Sequence, residues 1–118
     1  MKIVIIEDEV DLGILMRKFL QRQIQDSSSN SIKIATTLAD GLAFIEEIKP
    51  NWVLLDNNLP DGKGLDNIES IKAFESNPHI IMMSAMTNLR EEAIRRGADH
   101  FLDKPISFTE IKKILEAE

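Results

Sequence analysis

Trp52-Val53-Leu54-Leu55-Asp56-Asn57-Asn58 is an unbroken apolar run that stops on a carboxylate and two amides. Four consecutive apolar residues are too few for a helix and lack the alternation of a half-exposed strand. The run therefore reads as a strand buried on both faces, as in a parallel sheet. Leu59-Pro60-Asp61-Gly62 ends it with turn chemistry. The same signature recurs at residues 3–6 and 80–83, at 32–35 with Lys33 interrupting it, and, more briefly, at 101–102.

Between these runs the apolar period lengthens to that of a helix. Leu12, Leu15, Met16, Phe19 and Ile24 share a stripe; so do Leu38, Leu42, Ile45 and Ile48, and then Leu65, Ile68, Ile71 and Phe74. A fourth helix is predicted over 88–96, opened by Asn88 with Glu91 as a capping box and stopped by Gly97. A fifth opens at Ser107, with Glu110 three residues on, and carries Phe108, Ile111, Ile114 and Leu115. Strands and helices alternate, which predicts an α/β doubly wound parallel sheet of five strands with helices on both faces. Residues 26–31 read as a flexible loop, and no internal repeat or linker is visible.

The chain of 118 residues has the size of one domain, so residues 1–118 are expected to form a single unit. Its net charge of −6 offers no basic excess for nucleic-acid phosphates. The absence of cysteine excludes disulfides and thiolate metal sites and fits a cytoplasmic protein. The first apolar run stops at Glu7-Asp8-Glu9, too soon for a signal-peptide core. No run approaches the roughly 18 apolar residues of a membrane span.

In a parallel sheet the carboxyl ends of the strands form one edge, and ligands bind there. The residues that follow the apolar runs are Glu7 and Asp8, Thr36 and Thr37, Asp56 with Asn57 and Asn58, Ser84, and Lys104 with Pro105. Three carboxylates on one edge repel one another, which invites a hard divalent cation. Magnesium, or manganese in its place, takes oxygen ligands and retains several waters. Asp8 and Asp56 are the expected direct ligands, a backbone carbonyl just after Asp56 a third, and Glu7 acts through a bound water. Lys104 places an ammonium opposite the metal and Ser84 adds a short donor and acceptor. Such a set can hold a phosphoryl group carried by a nucleophilic aspartate.

Each residue alone also has a plain structural reading. Glu7 and Asp8 suit the start of a helix. Asp56-Asn57-Asn58 suits a turn, Ser84 a loop start, Lys104 a solvated position before proline, and Phe101 the core. His79 and His100 lack metal-ligand spacing. Met82, Met83 and Met86 read as packing residues. Arg90, Arg95 and Arg96 read as a solvated helix face with Glu91 and Glu92, or as part of a partner surface. The plain readings, taken together, leave the gathering of so many polar groups on one edge to accident.

In this order the motifs resemble the receiver domain of two-component response regulators, the CheY-like, flavodoxin-like superfamily. The resemblance is carried by Glu7-Asp8, by Leu54-Leu55-Asp56 with Leu59-Pro60-Asp61-Gly62-Lys63-Gly64-Leu65, by Met83-Ser84-Ala85, by Gly97-Ala98-Asp99, and by Phe101-Leu102-Asp103-Lys104-Pro105. It spans essentially the whole chain and implies the strand order 2-1-3-4-5. It further implies that Asp56 accepts a phosphoryl group from a sensor histidine kinase or histidine phosphotransfer protein. Asp8, Asp56 and the Asn58 carbonyl would bind magnesium with Glu7 in support, while Lys104 and Ser84 would contact the phosphoryl group. Phe101 matches the aromatic switch position, which turns inward as Ser84 moves toward the phosphate and alters the surface of the fourth helix, fifth strand and fifth helix. The Lys104–Pro105 bond is expected to be cis.

Three features depart from the family pattern. The loop over 27–31 is longer than usual, the segment 84–97 is shorter, and Asn57 is more polar than the usual residue there, with no assigned role. Among other functions, a phosphatase of the haloacid-dehalogenase type would want a second aspartate at position 58, where Asn58 stands. A flavin or nucleotide module would want a glycine-rich phosphate loop, which is absent. A receiver-like module that is never phosphorylated would not need Asp56, Ser84 and Lys104 together. The expected partners are the phosphodonor protein and a downstream protein or output domain outside this chain, with no direct nucleic-acid contact, no membrane, and a homodimer as an option.

Overall fold

The computed structural model describes residues 1–23 and 31–117. The predicted stripe residue Ile24 and most of the 27–31 loop lie outside the described residues. Five strands, β1 (Lys2–Ile6), β2 (Ser31–Ala35), β3 (Trp52–Asp56), β4 (His79–Ser84) and β5 (His100–Asp103), form one sheet in the order β2-β1-β3-β4-β5. Every pairing is parallel. The expected order and doubly wound class are both present.

Strand alternation explains the two-sided core. Ile3, Ile5, Leu54, Ile81 and Met83 face α1 (Val10–Gln23) and α5 (Phe108–Ala117), where Met16, Leu20 and Ile111 meet them. Val4, Ile6, Val53, Leu55, Ile80 and Met82 face α2 (Leu38–Ile48), α3 (Ile68–Lys72) and α4 (Arg90–Arg95). Both faces of each central strand are covered, which is why the runs are continuously apolar. Each fully buried aliphatic side chain contributes about 2 kcal/mol.

The connections at the carboxyl edge differ from the simple reading. Between β3 and α3 the chain makes a short antiparallel ribbon, Asn58–Leu59 with Gly62–Lys63, and then a 3₁₀ turn over Gly64–Asn67. Leu65, read as helical, lies in that turn. A Cβ on Gly64 would collide with the Asp56 carbonyl, so only glycine lets the turn close against the strand end. Another 3₁₀ turn, Thr87–Leu89, precedes α4. The predicted Asn88–Glu91 capping box is therefore not formed: Asn88 sits inside the turn, and the N-cap position is Leu89, with no side-chain cap bond. Gly97, at φ 118°, ends that segment as expected. At α5, Ser107 Oγ accepts the Glu110 N–H at 3.3 Å. The Lys104–Pro105 peptide is cis.

Candidate functional site

β1, β3 and β4 are consecutive in the sheet and their ends step by a single residue, Ile6 level with Leu55 and Asp56 with Met83, so the residues that close them converge. Glu7 follows β1, its N–H held by the Ala35 carbonyl at 2.9 Å. Asp56 is the last residue of β3 and Ser84 the last of β4. Lys104 follows β5 and donates its N–H to the Ser84 carbonyl at 3.0 Å. The parallel register thus gathers residues that are up to 97 positions apart in sequence.

Glu7, Asp8 and Asp56 each offer a carboxylate oxygen within 4.8 Å of the others. Glu7 is fully buried and Asp56 is 3% exposed, whereas Asp8 faces solvent. The Lys104 ammonium lies 3.0 Å from Glu7 Oε1, 3.2 Å from Asp56 Oδ1 and 3.8 Å from Glu9 Oε2. The other Glu7 oxygen accepts the Glu9 N–H at 3.1 Å. Burial raises the Glu7 pKa to about 7, helped by the Asp56 charge and opposed by the Glu9 N–H and Lys104. Burial also raises Asp56, with Lys104 pulling the other way. For Lys104, burial works against the charged form, but Glu7 and Asp56 outweigh it and the net shift is upward.

One ammonium faces three carboxylates, and the solvent-facing side at Asp8 gives a cation access. An all-oxygen donor set of this kind fits magnesium. Glu7 is better placed than the sequence alone suggested: it engages Lys104 directly. Asn58 is exposed, and its side-chain carbonyl accepts from Lys63 Nζ at 2.8 Å, so any role it has at the cluster belongs to its backbone.

Ser84 reaches the same edge and is buried, but its hydroxyl oxygen accepts the Met86 N–H at 3.0 Å. Phe101 is turned into the core on the α3–α4 face, at 5% exposure. Arg90, read as part of a solvated face, instead reaches back to β5, donating to the Phe101 carbonyl at 3.2 Å and the Asp103 carboxylate at 3.1 Å. Arg95 and Arg96 pair with Glu92 as that reading expected.

Sequence reasoning also missed the part played by Asn57. It is buried, its N–H donates to the Met83 carbonyl at 3.1 Å, its carbonyl accepts from Gly64 at 2.9 Å, and its Oδ1 accepts the Leu65 N–H at 3.0 Å. It therefore moulds the turn that follows Asp56. Asp61, read as turn chemistry, accepts the N–H groups of Leu38 and Ala39 at 2.8 and 2.9 Å and so caps α2 from a distant loop.

A family model for the response regulator receiver domain matches residues 3–116. The chain belongs to that family. Among curated relatives of this receiver domain, the transcriptional regulatory protein DpiA of Escherichia coli K12 is 30% identical over 115 residues, covering 96% of this chain and 50% of DpiA. The chemotaxis protein CheY of Listeria monocytogenes is 29% identical over 109 residues, covering 91% of this chain and 92% of CheY. The chain thus spans about half of DpiA and nearly all of that CheY. Among solved structures, the signal receiver domain of a DNA-binding response regulator (merR) from Colwellia psychrerythraea 34H superposes with a TM-score of 0.87 at 27% identity, covering 98% of this chain and 95% of that one. Receiver domains are the phosphoacceptor modules of two-component response regulators; they bind magnesium at an acidic pocket and work with kinases and output domains. They are signalling domains and generally not enzymes. Among the described residues, no helix is long and apolar enough to cross a membrane.

Proposed function

We propose that Asp56 is the phosphoacceptor of this receiver domain, with a histidine kinase or histidine phosphotransfer protein as donor. The observation that carries this reading is the position of Asp56: nearly buried at a strand end, 3.2 Å from Lys104, with two more carboxylates within 4.8 Å. An Asp56 carboxylate oxygen bonds to phosphorus as the phosphorus–nitrogen bond of the donor phosphohistidine breaks, and the leaving imidazole nitrogen takes up a proton. Asp8, Asp56 and the Asn58 carbonyl would hold the magnesium, and Glu7 would support it while anchoring Lys104. When bound, the ion supplies positive charge to the phosphoryl oxygens and the carboxylates. Lys104, already on Asp56, follows the transferred group as its counter-charge. Ser84, whose hydroxyl oxygen accepts from Met86, keeps its own O–H to donate to the phosphoryl group.

Residues 1–118 act as one receiver unit in this reading, with the output carried by a separate protein or a domain outside them. The surface of α4, β5 and α5 reports the phosphorylation, and pairing of two copies is one form that report can take. Turnover of external phosphate esters is disfavoured because Asn58 stands where a second acid would be needed. The predicted setting is cytoplasmic. Incubation with a small phosphodonor and magnesium is expected to add one phosphoryl group by mass, absent in Asp56→Asn. An equal gain in that variant would place the chemistry elsewhere.

A further inference from the structure

Arg90 grips one residue in two ways. Its guanidinium lies over the Phe101 ring, 5.0 Å from the ring centroid, and one of its nitrogens donates to the Phe101 carbonyl at 3.2 Å. A second nitrogen reaches Asp103 Oδ2 at 3.1 Å. The ring beneath is buried against the core cluster that holds Ile68, Ile71 and Ala93. The Arg90–Asp103 ion pair alone would hold weakly, because its side chains are 51% and 47% exposed. The cation–π contact and the carbonyl bond add to it and fix both the ring and the backbone of the same position.

We propose that Arg90 is a positioning residue that pins Phe101 inward whether or not Asp56 carries a phosphoryl group. The aromatic would then be a fixed part of this receiver. Motion would fall to Ser84 and the Thr87–Leu89 turn that leads to Arg90. The inference rests on the phosphoacceptor reading for its meaning in signalling, but the pin itself does not. None of its three contacts uses an atom of Glu7, Asp8, Asp56, Ser84 or Lys104, although Asp103 precedes Lys104 in the chain and lies level with Ser84 in the sheet. The Ser84 hydroxyl accepts from Met86, two residues along the same connection, so motion at Ser84 would be taken up first in the segment before Arg90. α4 begins at Arg90 straight after the Thr87–Leu89 turn, and from that position the arginine reaches β5.

The test labels the five phenylalanines with fluorine and reads each ring's exposure from the H₂O-to-D₂O shift of its resonance. Phe101→Leu assigns the signal of interest. In the wild type the Phe101 ring is expected to show no solvent shift, both alone and with magnesium and beryllium fluoride as phosphoryl mimic. In Arg90→Ala a solvent shift is expected to appear; Arg90→Lys, which keeps the charge but loses the planar fork, should lie between. Arg95→Ala, on the same helix, should match the wild type. A Phe101 ring that is exposed in the wild type and becomes shielded on adding the mimic overturns the proposal. So does a ring that stays shielded in Arg90→Ala. The fluoride signals of bound mimic appear in the same spectra. Their absence would count against Asp56 as phosphoacceptor, while the comparison of wild type and Arg90→Ala without mimic would still decide the pin.

Discussion

Glu7 sits fully buried at a strand end, one oxygen on the Lys104 ammonium and the other on the Glu9 N–H. Its pKa rises from 4.5 to about 7, chiefly because burial penalises the charged form. Between these two values the folded chain keeps a proton that the unfolded chain has released. The stabilisation is complete below the unfolded value and is lost as pH rises through about 7. Metal-free wild type is therefore expected to lose stability, relative to Glu7→Gln, as pH rises through this window, by on the order of 3 kcal/mol. Urea unfolding of both proteins across that window checks it; parallel curves would show that Glu7 is ionised throughout. The carboxylate itself was legible from its place after an apolar run. Its grip on Lys104 was not, because nothing local to Glu7 identifies a partner 97 residues away. Asn57 was illegible for the same reason: its amide meets Leu65 only because the intervening turn folds back. Asn57→Leu leaves that N–H without its acceptor and is expected to cost about 1–3 kcal/mol in denaturant unfolding.

Elements are joined at this edge by caps that their own sequences do not contain. Thr37 accepts the Asp40 N–H at 3.1 Å as a local cap of α2, which Thr-X-X-Asp spacing makes readable. Asp61 completes that cap from the turn beyond β3, taking the Leu38 and Ala39 N–H groups, and those bonds hold its own pKa below the usual range. The turn that follows Asp56 is thereby tied to a helix on one face of the sheet. Asp61→Ala should lower the thermal midpoint and speed amide hydrogen exchange at Leu38 and Ala39, while Asp66→Ala, close by in the chain, should leave those amides unchanged. Equal effects from the two would make Asp61 an ordinary turn residue. The failed capping box at Asn88 shows the converse: a correct local signature is overridden where the chain makes the tighter Thr87–Leu89 turn, from whose end Arg90 reaches β5.

For the whole molecule, the sheet order and the two-sided core were legible because a parallel sheet covered on both faces demands continuous apolar runs, and few other structures produce them. The cost of that architecture is concentrated where the strands end. Three carboxylates gather beside one ammonium in a chain whose net charge is already −6. Without a cation, this edge is expected to work against folding, and a bound magnesium to favour it. Asp8 separates these two contributions, because it faces solvent and does not contact Lys104 in the way Glu7 and Asp56 do. Asp8→Asn removes one repelling charge and is expected to raise metal-free stability by about 0.5 kcal/mol. Magnesium at 100 times its dissociation constant should stabilise the wild type by about 2.7 kcal/mol. The variant, short of a ligand, should lose most of that gain. The two stability curves are then expected to cross as magnesium is added in thermal or urea unfolding, with the variant ahead at zero and the wild type ahead at saturation. Curves that rise together would remove Asp8 from the ligand set, and a variant that starts lower would show that Asp8 holds the fold by some contact other than charge.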